Sequence, residues 1–384
     1  MKAIPYGHQY ITDEDIASMI EILKSDYITQ GPKNEEFEKC FAEKLGVKYA
    51  VAVANGTAAL HISAMALNVK ENDNVIVPSF TFAASANCIR FCKGNVCFCD
   101  IDKESYLMDI NHLRDMLEAK PKGYYKGIIP VDFAGYPIHA EAFRKIADEY
   151  NLWIIEDACH APGAYFTDSQ ENKQLTGNGQ YADLTVFSFH PVKHITTGEG
   201  GMITTNNKQL YDTLRMLRSH GTTKNPELMH ENHGGWYYEM QYLSYNYRLT
   251  NFQSALGISQ LKRLDWNLNR RQEIANTYNQ AFENIKSITI PKVRKDVFHA
   301  YHLYVIQVEA REELYNYLHE HDILVQVHYI PVHWHPYYQE LGYKKGSLPI
   351  TENLYKYCLS LPMYPSLTDE EQEYVIKKVL TFMK

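Results

Sequence analysis

Short apolar runs alternate with longer, amphipathic stretches through the first half of the chain. The runs at 49–53, 74–77, 96–99, 128–130, 152–156, 184–188 and 202–205 are too short for helices and are punctuated by Gly, Asn and Pro, so each predicts a strand. Between them, 58–67, 82–91, 110–117, 139–150 and 208–217 repeat with helical period. Helices are also expected over 13–23, capped by Thr12 with Asp15 three residues on, and over 34–45. Strands that are apolar throughout, alternating with helices, predict an α/β fold whose mostly parallel sheet is covered on both faces. A polar, aromatic-rich loop follows at 222–245, then a helix from near 250 to about 282 with breaks. Strands at 304–308 and 324–327 and helices at 312–319 and 368–383 complete a smaller α/β region. The expected division is a large domain, 1–255 with its N-terminal lead, and a small one, 256–384.

Composition narrows the function classes. Thirty-eight basic against 46 acidic residues leave a net charge of −8, which argues against a nucleic-acid partner. The chain shows no apolar run of membrane-spanning length, and its start, MKAIPYGHQY, lacks the apolar core of a signal peptide, so a soluble cytoplasmic protein is expected. Seven cysteines, an odd number in strand-like or helical segments, suit a reducing compartment. Cys88, Cys92, Cys97 and Cys99 are close in sequence but lack a paired CxxC, and they read as buried positions. Thirty tyrosines suggest a large polar ligand's groove or an interface.

Three features carry chemistry. The strand at 49–53 ends in Asn55, Gly56 and Thr57 and opens directly into a helix, presenting free N–H groups and the positive end of a helix dipole to an anion. Asp157 ends the strand LWIIED, where ligands bind in parallel sheets. Lys193 sits in FSFHPVKHITTGEGG, between Pro191 and a Thr/Gly run that resists regular structure; a lysine so presented can lose its proton and attack a carbonyl. An anion site, a carboxylate and an amine are what pyridoxal phosphate needs for its phosphate, ring nitrogen and aldehyde.

The strings NGTAAL, EDACHAPGA, FSFHPVKHITTGEGG and SYNYRLTNFQSALG resemble, in this order and spacing, motifs of the DegT/DnrJ/StrS family of sugar aminotransferases, across essentially the whole chain. The resemblance implies a fold-type I aminotransferase, pyridoxal phosphate as cofactor, L-glutamate as amino donor, and a homodimer with sites at the subunit interface. By the same resemblance Lys193 is the cofactor-linking lysine, Asp157 the partner of the ring nitrogen and His160 the group near the ring hydroxyl. Gly56, Thr57, Ala58 and Ser188 match phosphate contacts, Asn246 reaches the phosphate from the other subunit, and Phe82 stacks on the ring. Within the family, HPVKHITTGEGG and VHYIPVHWHPYYQELGY look most like enzymes that aminate C4 of a UDP-4-keto-6-deoxy-N-acetylhexosamine on the way to pseudaminic acid. There Tyr6, the turn of Asp26, Tyr27, Ile28 and Thr29, and the segment Gln326, Val327, His328 and Tyr329 match substrate-contacting positions. His190 and His194 are read with the substrate and cofactor surroundings.

Three other readings exist. Another nucleotide-linked keto-sugar would need few changed contacts. A metal-dependent hydrolase or lyase would use His190 and His194, or His328, His333 and His335. Pro191 denies the first pair its helix, and Pro331 and Pro336 make the second group a loop, so no metal is assigned. A dehydratase or non-catalytic relative would usually lack the lysine, which is present here.

Overall fold

The computed structural model describes residues 3–384. Seven strands, β1 (Tyr49–Val53), β2 (Asn74–Pro78), β3 (Asn95–Cys99), β4 (Tyr125–Ile128), β5 (Trp153–Asp157), β6 (Leu184–Ser188) and β7 (Gly201–Thr205), make one sheet in the order β1-β7-β6-β5-β4-β2-β3. β7 is antiparallel to both neighbours, and every other pairing is parallel. The carboxyl ends of β1, β2, β4, β5 and β6 therefore share one edge. Successive residues pack into different cores, Val75 and Val77 on one face and Ile76 on the other, which is why these strands read as continuous apolar runs.

The helices α1 (Asp13–Leu23), α2 (Pro32–Leu45), α3 (Gly56–Ala66), α4 (Ala84–Phe91), α5 (Ile110–Glu118), α6 (Ala140–Tyr150) and α7 (Lys208–Leu217) follow the predicted periodicity. Thr12 and Asp15 form the expected capping box on α1. The stretch from 250 to 282 is two helices, α8 (Asn251–Lys262) and α9 (Leu264–Phe282), parted at Arg263. Residues 255 and 256 both lie inside α8. Ile4–Pro5 pairs in parallel with Ile323–Leu324, and Ile4 joins the core of α9 and the C-terminal elements, so the N-terminal lead sits with the later half of the chain.

Several boundaries differ from expectation. β4 begins at Tyr125, ahead of 128–130, because exposed Lys126 interrupts its apolar run. α4 begins at Ala84, leaving Phe82 on the loop before it. The strand at 324–327 shrinks to Ile323–Leu324. Cys358–Leu361, paired with Tyr304–Gln307, escaped notice because it follows the helix Pro349–Tyr357 with no Gly or Pro between them.

Candidate active site

A cavity of about 410 Å³ opens at the carboxyl edge of the sheet. Its anion end is the β1–α3 junction. Asn55 caps α3, its Oδ1 accepting the Ala58 N–H at 2.8 Å. The amides of Gly56 and Thr57 find no acceptor among the described residues and sit at the positive end of the helix. A side chain here would be crowded: a Cβ on Gly56 would lie 3.0 Å from Ser188 Cβ and 3.3 Å from Cys159 Sγ. Gly56, Thr57 and Ser188 line the cavity, whereas Ala58 is buried with its amide already bonded, and Asn55 stands at the wall in its place.

The floor is the end of β5. Asp157 is 5% exposed; its Oδ2 accepts from Ser85 Oγ at 2.6 Å and its Oδ1 from the Cys159 N–H at 3.2 Å, which fixes the carboxylate plane. Ser85 Oγ is also 2.9 Å from Thr81 Oγ1, so the loop after β2 and the first turn of α4 brace the acid. His160 Nδ1 accepts the Ala134 N–H at 3.2 Å, and its Nε2 lies 3.2 Å from the Tyr329 hydroxyl. Burial first, then the charge of Lys193, holds the His160 imidazole well below its ordinary range, so the ring is neutral, with its proton on Nε2.

Lys193, presented by the loop after β6, puts Nζ 3.2 Å from His302 Nε2. Burial lowers its ammonium to about 8, against the opposing pull of Cys159 and Asp157. His328, its Nδ1 2.9 Å from Ser360 Oγ, is pushed to about 3 by burial and then by Lys193. Tyr6, whose ring centroid lies 4.9 Å from that of His328, and Tyr329 close the far side. Phe82 stands at the mouth, 59% exposed and 6.0 Å from the Tyr329 ring, with one face open to a planar ligand.

The remaining predicted residues are elsewhere in this chain. Asp26, Tyr27, Ile28 and Thr29 form an exposed turn between α1 and α2; Tyr27 borders a separate groove with Arg215, Arg218 and Arg248. Asn246 is exposed and apart from the cavity. Gln326 and Val327 do not line it either, although His328 and Tyr329 do. His190 reaches the cavity wall, but His194 is buried behind it, bonded to the Ala300 carbonyl at 2.8 Å. His333 bonds Ser79 Oγ at 2.6 Å and Glu352 at 3.0 Å, and among the described residues no three His, Cys, Asp or Glu side chains converge as metal ligands. Sequence reasoning missed Thr81, Ser85 and His302. Neither Ser85, in the first turn of α4, nor His302, over a hundred residues beyond Lys193, carried a local signal.

An α/β sheet with a half-buried lysine, an anchored carboxylate and an open helix start along one edge defines a cofactor-dependent enzyme of group transfer. The chain belongs to the DegT/DnrJ/EryC1/StrS aminotransferase family, whose model matches residues 9–380. It is 39% identical over 389 residues to the spore coat polysaccharide biosynthesis protein SpsC of Bacillus subtilis (99% of this chain, 97% of the relative). It is 36% identical to the UDP-4-amino-4,6-dideoxy-N-acetyl-beta-L-altrosamine transaminase of Campylobacter jejuni (97% and 95%) and 35% identical to the GDP-perosamine synthase of Escherichia coli O157:H7 (100% and 99%). Among solved structures it resembles Helicobacter pylori PseC, an aminotransferase of pseudoaminic acid biosynthesis, with a TM-score of 0.89 at 29% identity (100% and 99%). It also matches the PMP-form of Spr1654 of Streptococcus pneumoniae, with a TM-score of 0.90 at 28% identity (99% of each chain). The protein is a fold-type I, pyridoxal phosphate-dependent sugar aminotransferase.

The cavity fits that cofactor on its own geometry. The unpaired Gly56 and Thr57 amides can take a phosphate, the strand-end Asp157 can face a ring nitrogen, and Lys193 lies on the floor between them.

Proposed function

We propose that this enzyme moves the amino group of L-glutamate to C4 of a UDP-4-keto-6-deoxy-N-acetylhexosamine, for pseudaminic acid biosynthesis, in the cytoplasm and as a homodimer with shared sites. The observation that carries the chemistry is the convergence of Lys193, Asp157 and the open start of α3 in one cavity. The similarity to a UDP-linked altrosamine transaminase supports the sugar. We assign Lys193 to the cofactor aldehyde, Asp157 to the ring nitrogen, His160 to the ring hydroxyl, Phe82 to the ring face, and Gly56, Thr57 and Ser188 to the phosphate. Asn246 of the partner subunit completes the phosphate site, in keeping with its exposure outside its own cavity. The turn from Asp26 to Thr29 and the outer residues Gln326 and Val327 are assigned to the sugar nucleotide at the shared rim.

Bound pyridoxal phosphate supplies an aldehyde that carries the amine and a protonated ring that takes up the electron pair released at carbon. The protein supplies the rest. Lys193, with its ammonium near 8, is neutral in a sizeable fraction at neutral pH, whereas a lysine near 10.4 is neutral in less than about 1%. It can therefore act both as nucleophile and as the base that moves a proton across the floor. Asp157 has no freedom to turn away, because Ser85 and Cys159 hold both oxygens. Tyr329, donated to by His160 Nε2, joins the His160 ring to the Phe82 side of the cavity, its ring 6.0 Å from that of Phe82.

The similarity to a GDP-perosamine synthase favours one competing reading, a GDP-linked 4-keto sugar. Supplying glutamate with a panel of UDP- and GDP-linked 4-keto-6-deoxy sugars, and following by NMR which ring gains an amine and in which orientation, separates the two. Amination of only the GDP-linked sugars would refute the substrate proposed. We further propose that the functional units divide after α8, at Arg263, where the helical run is interrupted.

A further inference from the structure

His302 belongs to none of the motifs that marked the site, yet it is the side chain bonded to Lys193. The backbone around it is held rigidly: buried Arg271 donates Nη1 to the carbonyls of Tyr301 at 3.0 Å, His302 at 3.4 Å and Met363 at 3.0 Å. The His302 ring packs against His160, centroids 4.3 Å apart and planes tilted by 41°, with Nε2 turned to Lys193 Nζ at 3.2 Å. Its Nδ1 is buried and has no partner among the described residues.

Two arrangements fit that contact. With the proton on Nδ1, the ring would accept from Lys193 and bury an N–H donor with no acceptor. With the proton on Nε2, the ring donates to the lone pair of a neutral amine and leaves only a bare nitrogen. Orphaned buried N–H groups are the rarer and costlier of the two. The neighbouring rings follow the second pattern. His194 must carry its proton on Nε2 to bond the Ala300 carbonyl, and its Nδ1 is also buried and unpartnered. His160 accepts at Nδ1 and so carries its proton on Nε2. The groups facing Lys193 and His302 are Asp157 and Cys159 from the end of β5, His160 beyond them, His190 and His194 on the lysine's own loop, His328 and Tyr329, and Arg271 from α9. Burial keeps His160, His194 and His328 neutral and keeps Cys159 a thiol, and the guanidinium of Arg271, itself lowered to about 9 by burial, opposes an ammonium at Lys193.

We propose that His302 is a positioning residue whose Nε2–H donates to Lys193 Nζ and holds that amine, whenever it is free of the cofactor, neutral and on the cavity floor. The inference rests on the assignment of Lys193 as the cofactor-linking lysine. A donor to the lone pair favours the free amine, so its removal makes Lys193 more basic, whereas removing an acceptor from an ammonium would make it less so.

The test uses full-length protein stripped of cofactor, as wild type, His302→Phe, His302→Asn and His302→Gln. Each is mixed with pyridoxal phosphate across a pH series and reduced with borohydride, and the modified Lys193 peptide is quantified by mass spectrometry. The midpoint of trapping is expected to rise by roughly one pH unit in His302→Phe, about tenfold less trapping at neutral pH. His302→Asn, whose amide is too short to reach Nζ, should shift alike and provides the reading if the Phe variant fails to fold. His302→Gln, which can place an amide N–H near the Nε2 position, should return the midpoint toward wild type. An unmoved or lowered midpoint overturns the role of His302 while leaving Lys193 in place. Absence of trapping at Lys193 in the wild type overturns the site assignment itself, and this inference with it.

Discussion

The floor and the rim of the cavity are built on different principles. On the floor, Asp157, His160, Lys193 and His302 each have a defined partner within 3.2 Å, and most of them are buried. At the rim and beyond it, Phe82, Tyr27, Tyr245 and Asn246 are exposed, and the 222–245 segment leaves Trp236 75% and Leu243 85% exposed. The floor's side chains converge within one chain. The rim presents apolar and amide groups with little of this chain against them, which is the pattern of a surface that works against a ligand or a second subunit.

The sharpest way to break this contrast is Lys193→Ala. It should cut turnover at least about a thousandfold and remove the visible absorbance of the cofactor-loaded protein, with the circular dichroism spectrum unchanged. Retained turnover would mean that the floor does not carry the chemistry. If Asp157 serves the ring nitrogen, Asp157→Asn, which keeps the shape but replaces the carboxyl, should lower kcat by about 10²–10³, measured under saturating cofactor.

The rim is tested by mixing chains. If Asn246 serves the neighbouring site, dimers of Asn246→Ala with Lys193→Ala regain one intact site and about half of the wild-type activity per dimer, because one chain supplies the lysine and the other the amide. No recovery would confine each site to one chain. A smaller effect is expected from Phe82→Ala: loss of one stacking face should weaken cofactor retention about tenfold, read by equilibrium dialysis, with little change in melting temperature.

The smallest effect is on stability against pH. Lys193 titrates near 8 when folded and near 10.4 when unfolded, so between those values the unfolded chain binds more protons and stability rises with pH. Cofactor-free Lys193→Met should lack this increment. Melting curves of the two proteins from pH 7 to 10 should diverge above pH 8; parallel curves would contradict a desolvated lysine.

Much of the floor could be read from the chain because its signals are local. Gly56, Asp157 and Lys193 each follow a short apolar strand, and in a parallel sheet every such strand end faces the same edge. Ser85 and His302 carried no comparable mark. A serine in a helix's first turn and a histidine before a strand are ordinary residues until the fold sets them at 2.6 Å from Asp157 and 3.2 Å from Lys193. Boundaries slipped for the same reason: Lys126 broke the β4 run, and Cys358–Leu361 became a strand only because Tyr304–Gln307 lay beside it.

The linear chain carries the layered architecture, the alternation that turns strand ends toward one edge, and the residue types able to hold pyridoxal phosphate. Short-range periodicity and punctuation encode these directly. Tertiary structure alone decided which side chains share a hydrogen bond. It bonded His302 to Lys193, placed Ser85 beneath Asp157, used the Ala58 amide for a helix cap, and put His194 behind the wall instead of in the cavity. Such contacts depend on the packing of segments far apart in the chain, and no local pattern specifies them.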